Sequence, residues 1–358
     1  MKIIIDVMSG DNAPLELIRG ALLAKEEIGE EIILVGDETV IRGCAEADGL
    51  DLSGVSVVNA TSVIHMDDHA LSVVREKSDS SMSVGLHMLA KDEADAFVSA
   101  GNTGALVAGA TLIVRRIKGI QRAGIAAILP FPTPCLLMDC GANLEVTPAN
   151  LEQFAFMGSR YMEKILGVRS PRVGLLNNGS EETKGRELER EAYAQLSDAE
   201  IRFVGNVEAR ELPFDVCDVV VTDGYTGNIV LKYTEGAGRF MLSTLKEILT
   251  SNFLMKLSAV SLKGKLEDLS HDFDASEYGG APLLGIAKPV IKAHGSSDAN
   301  AIKNAIFQAI AFHHTGLNQD IALFASDHEA RMRMRAKLRG KLEKAKRKQK
   351  KKGTGEED

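Results

Sequence analysis

The most regular feature of the chain is a series of short, almost continuously apolar runs separated by longer segments with helical spacing. Few polar residues interrupt the runs, which predicts strands that are buried on both faces. They cover residues 3–6, 32–37, 55–60, 95–100, 126–130, 135–140, 172–177, 201–206 and 218–223. Helical spacing of apolar residues predicts helices over residues 14–28, 69–92, 150–166, 182–196 and 228–249. This strand–helix–strand repetition predicts an α/β fold with a mainly parallel sheet covered on both faces.

Several of the predicted strands end in short loops rich in glycine, asparagine and acidic residues. These loops are DVMSGDNAP, SAGNTGA, DCGAN, NNGSEETKG, GNVEAR and TDGYTGN. In open α/β sheets, ligands bind beyond the carboxyl ends of the strands, where helix N-termini present free N–H groups. One such loop fits an ordinary turn, but six of them in one chain predict a single composite crevice.

Residues 250–270, TSNFLMKLSAVSLKGKLEDLS, have a different pattern. Apolar side chains recur at helical spacing on both sides of Gly264, and lysines flank them, which predicts a short projecting helical hairpin. Its apolar face could pack in the core, in a dimer partner, on lipid or around an acyl chain. Residues 277–306 then return to loop, strand and helix.

Composition and charge define the rest of the organisation. A chain of 358 residues with 45% hydrophobic and 26% charged residues is an ordinary globular protein. The net charge of −8 is uneven, since residues 331–352 hold 13 basic residues and one acid, Glu343. We expect one catalytic domain over residues 1–325 and a basic, flexible tail over residues 326–358. Such a tail could attract anionic membranes or nucleic acid, but a solvated tail is the simpler expectation and no nucleic-acid partner is predicted.

The cysteines and the N-terminus point to the cytoplasm. The four cysteines form no C-x-x-C motif and no cluster with histidine, so neither a disulfide framework nor a metal site is expected. The first apolar run, after MK, is three isoleucines long, too short for a signal peptide or a membrane span.

The loops, in their order along the chain, resemble those of the phosphate acyltransferases of bacterial phospholipid synthesis, the acyl-ACP:phosphate transacylases. The likeness extends over about residues 1–312 and excludes the basic tail. Met8, Ser9 and Cys140 depart from the residues common at those positions, without removing a polar group that the chemistry requires. The matching segments are Asp6–Pro14, Ser99–Gly104, Asp139–Asn143, Asn177–Gly185, Gly205–Arg210, Thr222–Asn228, Tyr278–Gly280 and Lys292–Asp298.

The resemblance implies an α/β/α sandwich similar to the isocitrate and isopropylmalate dehydrogenases, assembled as a homodimer. It implies acyl carrier protein (ACP) and inorganic phosphate as partners, an acyl phosphate that feeds phospholipid synthesis as product, and no cofactor. It also implies a cytoplasmic enzyme that attaches peripherally to the membrane through residues of about 250–270.

In the implied reaction, a phosphate oxygen attacks the thioester carbonyl, so the enzyme must position a dianion and stabilise an oxyanion. Glycine-rich loops and helix N-termini suit phosphate. The candidates for binding phosphate or substrate are Asn102, Thr103, Gly104, Asp223, Gly224, Thr226, Ser296 and Ser297.

Four residues are candidates for the chemistry itself. Lys184 and His294 could stabilise the oxyanion or protonate the leaving thiolate, and Asn143 and Asn228 could orient the carbonyl and the phosphate. The acids Asp6, Asp11 and Asp139 would orient these groups, with Asp223 able to act in the same way.

Each assignment has a simpler alternative. Asp6 and Asp139 could cap helices, Lys184 could be a surface lysine, and His294 could be structural. Cys140 could act as a nucleophile, but the sequence identifies no histidine to activate it.

Three other functions compete with the transacylase. A phosphotransacetylase-like enzyme would use acyl-CoA with the same phosphate loops. A related dehydrogenase would need metal-binding acids and an arginine cluster, of which only Asp215, Asp218 and Asp223 are suggestive. A membrane-surface scaffold would need no polar crevice. Binding of an acidic carrier favours a basic patch, for which the candidates are Lys232, Arg239, Lys246, Lys256, Lys263 and Lys265.

Overall fold

Eleven strands form one continuous sheet in a computed structural model that describes residues 1–252, 255, 264 and 279–328. The strands are β1 Lys2–Asp6, β2 Glu31–Gly36, β3 Ser56–Asn59, β4 Ala96–Ser99, β5 Gly124–Leu129, β6 Cys135–Met138, β7 Arg172–Asn177, β8 Arg202–Glu208, β9 Val219–Val221, β10 Ala281–Leu284 and β11 Val290–Lys292. Their order across the sheet is β3-β2-β1-β4-β11-β10-β5-β6-β9-β7-β8. All nine predicted strands are present.

Helices cover both faces of the sheet. They are α1 Leu15–Glu27, α2 Glu38–Ala47, α3 Ser81–Ala90, α4 Thr103–Gly109, α5 Pro148–Ile165, α6 Glu187–Ser197, α7 Gly224–Thr250 and α8 Ala299–His314. Shorter helical turns occur at Ala70–Val74, Ala110–Val114 and Ala209–Phe214, and residues 317–328 are helical. Buried side chains of α1, α5, α6 and α8 pack on one face of the sheet, and those of α3 and α4, with partly buried side chains of α7, pack on the other. The predicted α/β/α sandwich is therefore confirmed.

The apolar runs are continuous because the strands are buried from both sides. Ile3 and Ile5 of β1 belong to one hydrophobic cluster and Ile4 to the other, and all three are inaccessible to solvent. Alternate side chains of a strand point to opposite faces, so a strand between two helical layers needs apolar residues at every position.

The sheet reverses direction in its middle, which the sequence did not reveal. Strands β1 to β4 and β11 are parallel to one another, as are β6 to β9. The pairs β11–β10, β10–β5 and β5–β6 are all antiparallel. Three reversals leave the two parallel halves pointing in opposite directions. The strand-end loops of the first half therefore lie at one edge of the sheet, and those of β6 to β9 lie at the other.

Two predicted helices differ from the observed ones. The helix predicted over residues 69–92 is divided into the turn Ala70–Val74 and α3, because Ser80 caps α3 through a hydrogen bond from the Ser83 N–H. The helix predicted over residues 182–196 begins only at Glu187. Its N-terminus is set by Arg186, whose N–H donates to the Glu189 carboxylate.

Two predictions fall largely outside the described residues. These are the helical hairpin over residues 250–270, of which α7 reaches Thr250, and the basic tail beyond residue 328. Within the described parts of the chain, no helix combines the length and the apolar character needed to cross a bilayer.

Candidate active site

A crevice of about 920 Å³ runs along β5 between α7 and the loops that follow β4 and β11. Ile125 and Ala127 of β5 form an apolar part of its lining, and Leu231 of α7 adds to it. At the end of β5 the crevice opens onto the polar loops of the first half of the sheet. At the start of β5 it meets the loop that follows β6.

Three loops meet at the first of these ends and hold one another in place. The Asp11 N–H donates to the Gly295 carbonyl at 2.8 Å, and the Asn12 side-chain amide donates to the carbonyls of Ser296 and Ser297. Gly10 between them has φ +121°, and a Cβ there would lie 3.0–3.1 Å from Ala100 and Gly295, so this crossing point favours glycine. The predicted residues Asp11, Ser296 and Ser297 thus line one surface of the crevice.

The loop after β4 contributes the start of α4. Asn102 caps this helix by accepting the Ala105 N–H at 3.0 Å, and its amide donates to carbonyls of residues 65, 66 and 68. The Asn102 side chain is therefore occupied within the protein. Thr103 and Gly104 are exposed and line the crevice, where the first N–H groups of a helix lack intrahelical partners.

His294 lies in the loop after β11 and lines the same end. Its Nδ1 is 2.9 Å from Ser296 Oγ and accepts the Ser296 backbone N–H at 3.3 Å. Because the backbone N–H of Ser296 can only donate, Nδ1 of His294 must be the acceptor and carries no hydrogen. We therefore assign the ring hydrogen of His294 to Nε2. Burial lowers the pKa of His294 and outweighs the opposing charge of Glu235, while the nearby cations Lys292, Lys232 and Arg239 act in the same direction as burial. His294 is therefore a neutral donor at pH 7.

Lys292, for which the sequence suggested no task, ends β11 in the same end of the crevice. Its Nζ donates to the carbonyl of Ala100 at 3.3 Å and to that of Ala293. Burial lowers the pKa of Lys292 to about 8, with Lys232 acting in the same direction and Asp11 and Asp6 opposing it. A signal was present in the sequence, since Lys292 is the only charged residue in PVIKAH.

One face of α7 forms the wall opposite these loops. Asn228, Lys232, Glu235, Arg239 and Leu242 line the crevice, and their spacing of three or four residues places them on one helical face. Lys232 and Arg239, predicted as part of a carrier-binding patch, thus belong to the crevice wall, whereas Lys246 is outside its lining. Glu235 was missed, although it lies seven residues after the predicted Asn228 on the same face.

The loop after β6 is organised by Asp139, which is fully buried. Its carboxylate accepts the backbone N–H groups of Ile125, Gly141, Ala142 and Asn143 at 2.7–3.2 Å. Burial raises the pKa of Asp139, and these hydrogen bonds oppose the rise.

The Asn143 side chain is bound within the same loop. Its amide donates to Asp139 at 2.8 Å and to the Ala123 carbonyl at 2.7 Å. Both hydrogens of the amide are thereby used. Neither Asp139 nor Asn143 lines the crevice, which this loop reaches through Cys140 and Gly141.

Most N–H groups at the start of α7 already donate to protein acceptors. Asp223 caps the helix by accepting the Thr226 N–H at 2.7 Å, and it pairs with Arg186 at 2.7 Å. The Gly224 N–H donates to the Asn143 carbonyl at 2.8 Å. Burial alone would raise the pKa of Asp223, but the hydrogen bonds from Thr226 and Arg186 hold it below its ordinary value. Of this predicted loop, only Asn228 lines the crevice.

Asp6 and Lys184 also lie outside the crevice lining. Asp6 is fully buried and accepts the Ser99 hydroxyl at 2.8 Å, so it fixes the end of β4 behind the crevice. Burial raises the pKa of Asp6. Lys184 is exposed in the loop after β7, at the opposite edge of the sheet from His294. The prediction that all six loops form one crevice is therefore wrong, since the loops after β7 and β8 contribute nothing to it.

Among the described residues that line the crevice, the one cysteine is Cys140, which is buried. Burial raises the pKa of the Cys140 thiol well above its ordinary value, and its Sγ donates to the Leu137 carbonyl at 3.0 Å. Such a thiol is a poor nucleophile. Among the described residues, no three histidines, cysteines or acids come together in a way that could hold a metal ion.

Sequence comparison places the chain among known relatives. A family model described as "Fatty acid synthesis protein" matches residues 1–320. A phosphate acyltransferase from Thermoanaerobacter pseudethanolicus is 48% identical over 314 residues, covering 87% of this chain and 93% of that protein. Another, from Thermoanaerobacterium thermosaccharolyticum, is 46% identical over 310 residues, covering 86% of this chain and 92% of the relative.

Solved structures share the fold at low sequence identity. A phosphotransacetylase from Streptococcus pyogenes has a TM-score of 0.60 at 19% identity, covering 87% of this chain and 94% of its own. A protein described as a 4-hydroxythreonine-4-phosphate dehydrogenase, from Salmonella typhimurium, has a TM-score of 0.52 at 11% identity, covering 87% and 98% of the two chains. The predicted likeness to dehydrogenase-type folds is confirmed at the level of the fold.

Proposed function

The chain belongs to the phosphate acyltransferase family, and we propose that it transfers a fatty acyl group from the thioester of ACP to inorganic phosphate. The products are an acyl phosphate and free ACP, and the acyl phosphate feeds phospholipid synthesis. The observation that carries the proposal is the crevice. It joins a polar end with helix N–H groups, serine hydroxyls and three cations to an apolar stretch along β5.

Phosphate is assigned to the polar end. Thr103 and Gly104 offer helix N–H groups there and Ser297 offers a hydroxyl, whereas the Ser296 hydroxyl already donates to Nδ1 of His294. An anion at a helix N-terminus gains from both the free N–H groups and the helix dipole. The start of α7 is the weaker alternative, because Asn143 and Asp223 already accept the N–H groups of Gly224, Thr226 and Gly227.

The thioester is assigned to the region between His294 and Asn228. Phosphate is a competent nucleophile, so the enzyme needs no covalent intermediate, and the buried Cys140 thiol is not required. The Nε2–H of neutral His294 can donate to the carbonyl oxygen as it becomes an oxyanion, and the Asn228 amide can orient the same group. Loss of one such donor costs about 10²–10³ in kcat.

The first test is turnover of long-chain acyl-ACP with inorganic phosphate in EDTA, with acyl-CoA in parallel. Free ACP thiol and hydroxylamine-reactive acyl phosphate should appear together and depend on phosphate. Turnover of acyl-CoA alone would show that coenzyme A, not ACP, carries the acyl group, with the proposed chemistry unchanged. Absence of turnover in a folded protein would favour the membrane-surface scaffold.

Two variants then test the assignment of the site. His294→Ala should lose about 10²-fold or more in kcat, because it removes a donor from the crevice. Lys184→Ala should lose much less, because Lys184 lies outside the crevice lining. An equal loss in both variants would show that the loop of Lys184 moves into the crevice during turnover.

We also propose a homodimer that forms through an exposed apolar stripe on α7. Tyr233 and Phe240 are 77% and 70% exposed, and Tyr225 and Ile229 continue the stripe toward the start of the helix. At about 100° per residue, the stripe lies roughly a third of a turn from the face that lines the crevice. A second copy can therefore cover it without closing the crevice, and exposed apolar patches of this kind mark interfaces.

Light scattering after gel filtration tests the dimer. The double variant Tyr233→Lys with Phe240→Lys should be monomeric. Phe214→Lys is the matched control, because Phe214 is also 77% exposed but lies away from α7, in the turn Ala209–Phe214. A dimer that survives the double variant would place the interface elsewhere.

Peripheral membrane contact through residues 250–270 is the remaining part of the proposal. It is supported by the apolar residues of this segment, by its flanking lysines and by its position directly after α7. Flotation with anionic phosphatidylglycerol vesicles should capture the wild-type protein and lose the Leu262→Glu variant. Equal flotation of both proteins would exclude the segment as the anchor.

A further inference from the structure

The side chain of Lys292 is fixed in the crevice by two backbone carbonyls. Its Nζ donates to the Ala100 carbonyl at 3.3 Å and to the Ala293 carbonyl. Ala100 directly follows β4 and Ala293 directly follows β11. The two carbonyls that hold Nζ therefore belong to the same loops that carry Thr103 and His294. The position of the amine is thereby tied to the phosphate end of the crevice.

The hydrogen bonds to these two carbonyls leave the third hydrogen-bonding position of Nζ available. A protonated lysine has three N–H groups, and a neutral one has two N–H groups and a lone pair. Two N–H groups satisfy the carbonyls of Ala100 and Ala293 in either state. The third position is therefore a donor when Lys292 is charged and an acceptor when it is neutral. No carbonyl loses its partner when the proton leaves.

The charges around Lys292 suit a group that releases a proton. Lys232 of α7 disfavours the charged form, whereas Asp6 at the end of β1 and Asp11 in the following loop favour it. Glu235 and Arg239 of α7 and His294 line the same crevice. Burial outweighs the two acids and lowers the pKa of Lys292 to about 8. A thiol of the cysteine type has a pKa of about 8.5, and a general acid is most effective when its own pKa lies near the operating pH.

The other basic groups of the crevice are less suited to this task. Arginine does not release its proton at accessible pH, which excludes Arg239. His294 is neutral, and its one hydrogen, on Nε2, serves as the oxyanion donor. Lys232 is exposed on the outer part of the wall.

We propose that Lys292 is the general acid of the transfer, donating its third N–H proton to the sulfur as the thioester breaks. The inference rests on the transacylase function proposed above. A phosphate oxygen forms the new C–O bond, the C–S bond breaks, and the electron pair of that bond leaves with the sulfur. The sulfur takes its proton from Lys292. The acyl phosphate releases the proton that the phosphate carried, and Lys292 recovers a proton through the open crevice, so the reaction consumes none overall.

The test measures kcat, KM for phosphate and the pH profile of kcat/KM with acyl-ACP, in the full-length protein. In the wild type, kcat/KM should fall above about pH 8 as Lys292 loses its proton, since this profile reports groups of the free enzyme. Lys292→Met should lose about 10²-fold or more in kcat at pH 7, with KM for phosphate changed by less than about threefold, and should lack the alkaline fall. Lys292→Arg should remain impaired, because it restores the charge but not a proton that can be transferred.

Lys288→Met is the matched control. Lys288 also donates to a backbone carbonyl, that of Ala94 at 3.0 Å, and pairs with Asp92 at 2.6 Å, but it lies outside the crevice lining. It should keep wild-type kcat and the wild-type pH profile.

Three results would overturn the proposal. Full activity in Lys292→Arg, or a raised KM for phosphate with kcat preserved in Lys292→Met, would make Lys292 a fixed charge that binds phosphate. A wild-type profile that stays flat from pH 7 to about pH 9.5 would exclude Lys292 as the acid even if every variant failed to fold. A folded wild type that forms no acyl phosphate would instead refute the proposed function itself.

Discussion

A single methyl group at Gly227 should uncouple α7 from the loop that organises the far end of the crevice. Gly227 lies in the first turn of α7 and is buried. An ideal Cβ at this position would be 1.9 Å from the carbonyl oxygen of Asp139. Real Cβ atoms essentially never come closer than 3.0 Å. In Gly227→Ala, the backbone of the helix or of the loop must therefore move by about 1 Å or more.

The magnitude follows from two opposing effects. Overpacking a well-packed site costs about 1–3 kcal/mol or more, and the upper end applies here because both colliding groups are backbone. Replacing glycine by alanine within a helix returns about 1 kcal/mol. We therefore expect a net loss of about 2 kcal/mol in the free energy of unfolding. Turnover should also fall, because Asn228 is the next residue and packs against Gly141 of the displaced loop.

The same substitution at Gly43 is the matched control. Gly43 lies within α2, is exposed and would place its Cβ with no atom within 4 Å. Gly43→Ala should therefore gain up to about 1 kcal/mol and keep full turnover. Urea unfolding, followed by far-ultraviolet circular dichroism at one protein concentration, measures the change in the free energy of unfolding in both variants. A Gly227→Ala protein as stable and as active as the wild type would refute the packing of α7 on the Asp139 loop.

Two further predictions test the thiol and the acid stability. Cys140→Ala should keep wild-type turnover, and iodoacetamide should not inactivate the folded wild type, because the buried thiol stays protonated; inactivation at Cys140 would revive the nucleophile. Asp218 accepts three hydrogen bonds from Arg172. Burial opposes ionisation, yet these bonds lower the pKa of Asp218, so its contribution is present above the ordinary value of about 3.9 and is lost as the pH falls below it. The stability deficit of Asp218→Asn, measured by urea unfolding, should therefore shrink below about pH 4; a constant deficit would contradict this.

The strands could be predicted from the sequence because burial on both faces leaves a local trace. A run such as residues 3–6 is apolar at every position, and nothing outside the run is needed to interpret it. The short strands β10 and β11, the last two along the chain, have a weaker sequence pattern. Their residues could be assigned only to a region of mixed loop, strand and helix, because strands of three or four residues carry little periodicity.

The direction of each half of the sheet leaves no such trace. Parallel and antiparallel strands buried on both faces have the same apolar composition, so the reversal at β10 and β5 depends on pairings between residues far apart in sequence. That reversal decides which loops can share a ligand. It separates Lys184 from His294, although both follow a strand in loops of similar composition.

The two helix starts that looked alike in the sequence differ for a related reason. Asn102 caps α4 and Asp223 caps α7, and each is followed by a threonine or glycine that could present free N–H groups. At α7, the loop after β6 packs so closely that the Asn143 carbonyl takes the Gly224 N–H. At α4, Thr103 and Gly104 face the open crevice. A cap residue specifies where a helix begins, but only the neighbouring loops decide whether its N–H groups bind protein or ligand.

The arrangement of neighbouring elements also explains why the cations of the crevice were harder to predict from the sequence than its polar loops. Lys292 reaches the crevice because β11 lies between β4 and β10, where its Nζ meets carbonyls of two loops. Lys232 and Arg239 reach it because α7 crosses the sheet from the edge where β9 ends toward the edge where β11 ends. A rise of 1.5 Å per residue places Lys232 about 13.5 Å along the helix axis from the cap at Asp223. Of the cations that line the crevice in the described residues, Lys292 thus comes from the half of the sheet that contains β11, whereas Lys232 and Arg239 come from α7, which follows the other half. The reversal of the sheet brings them together.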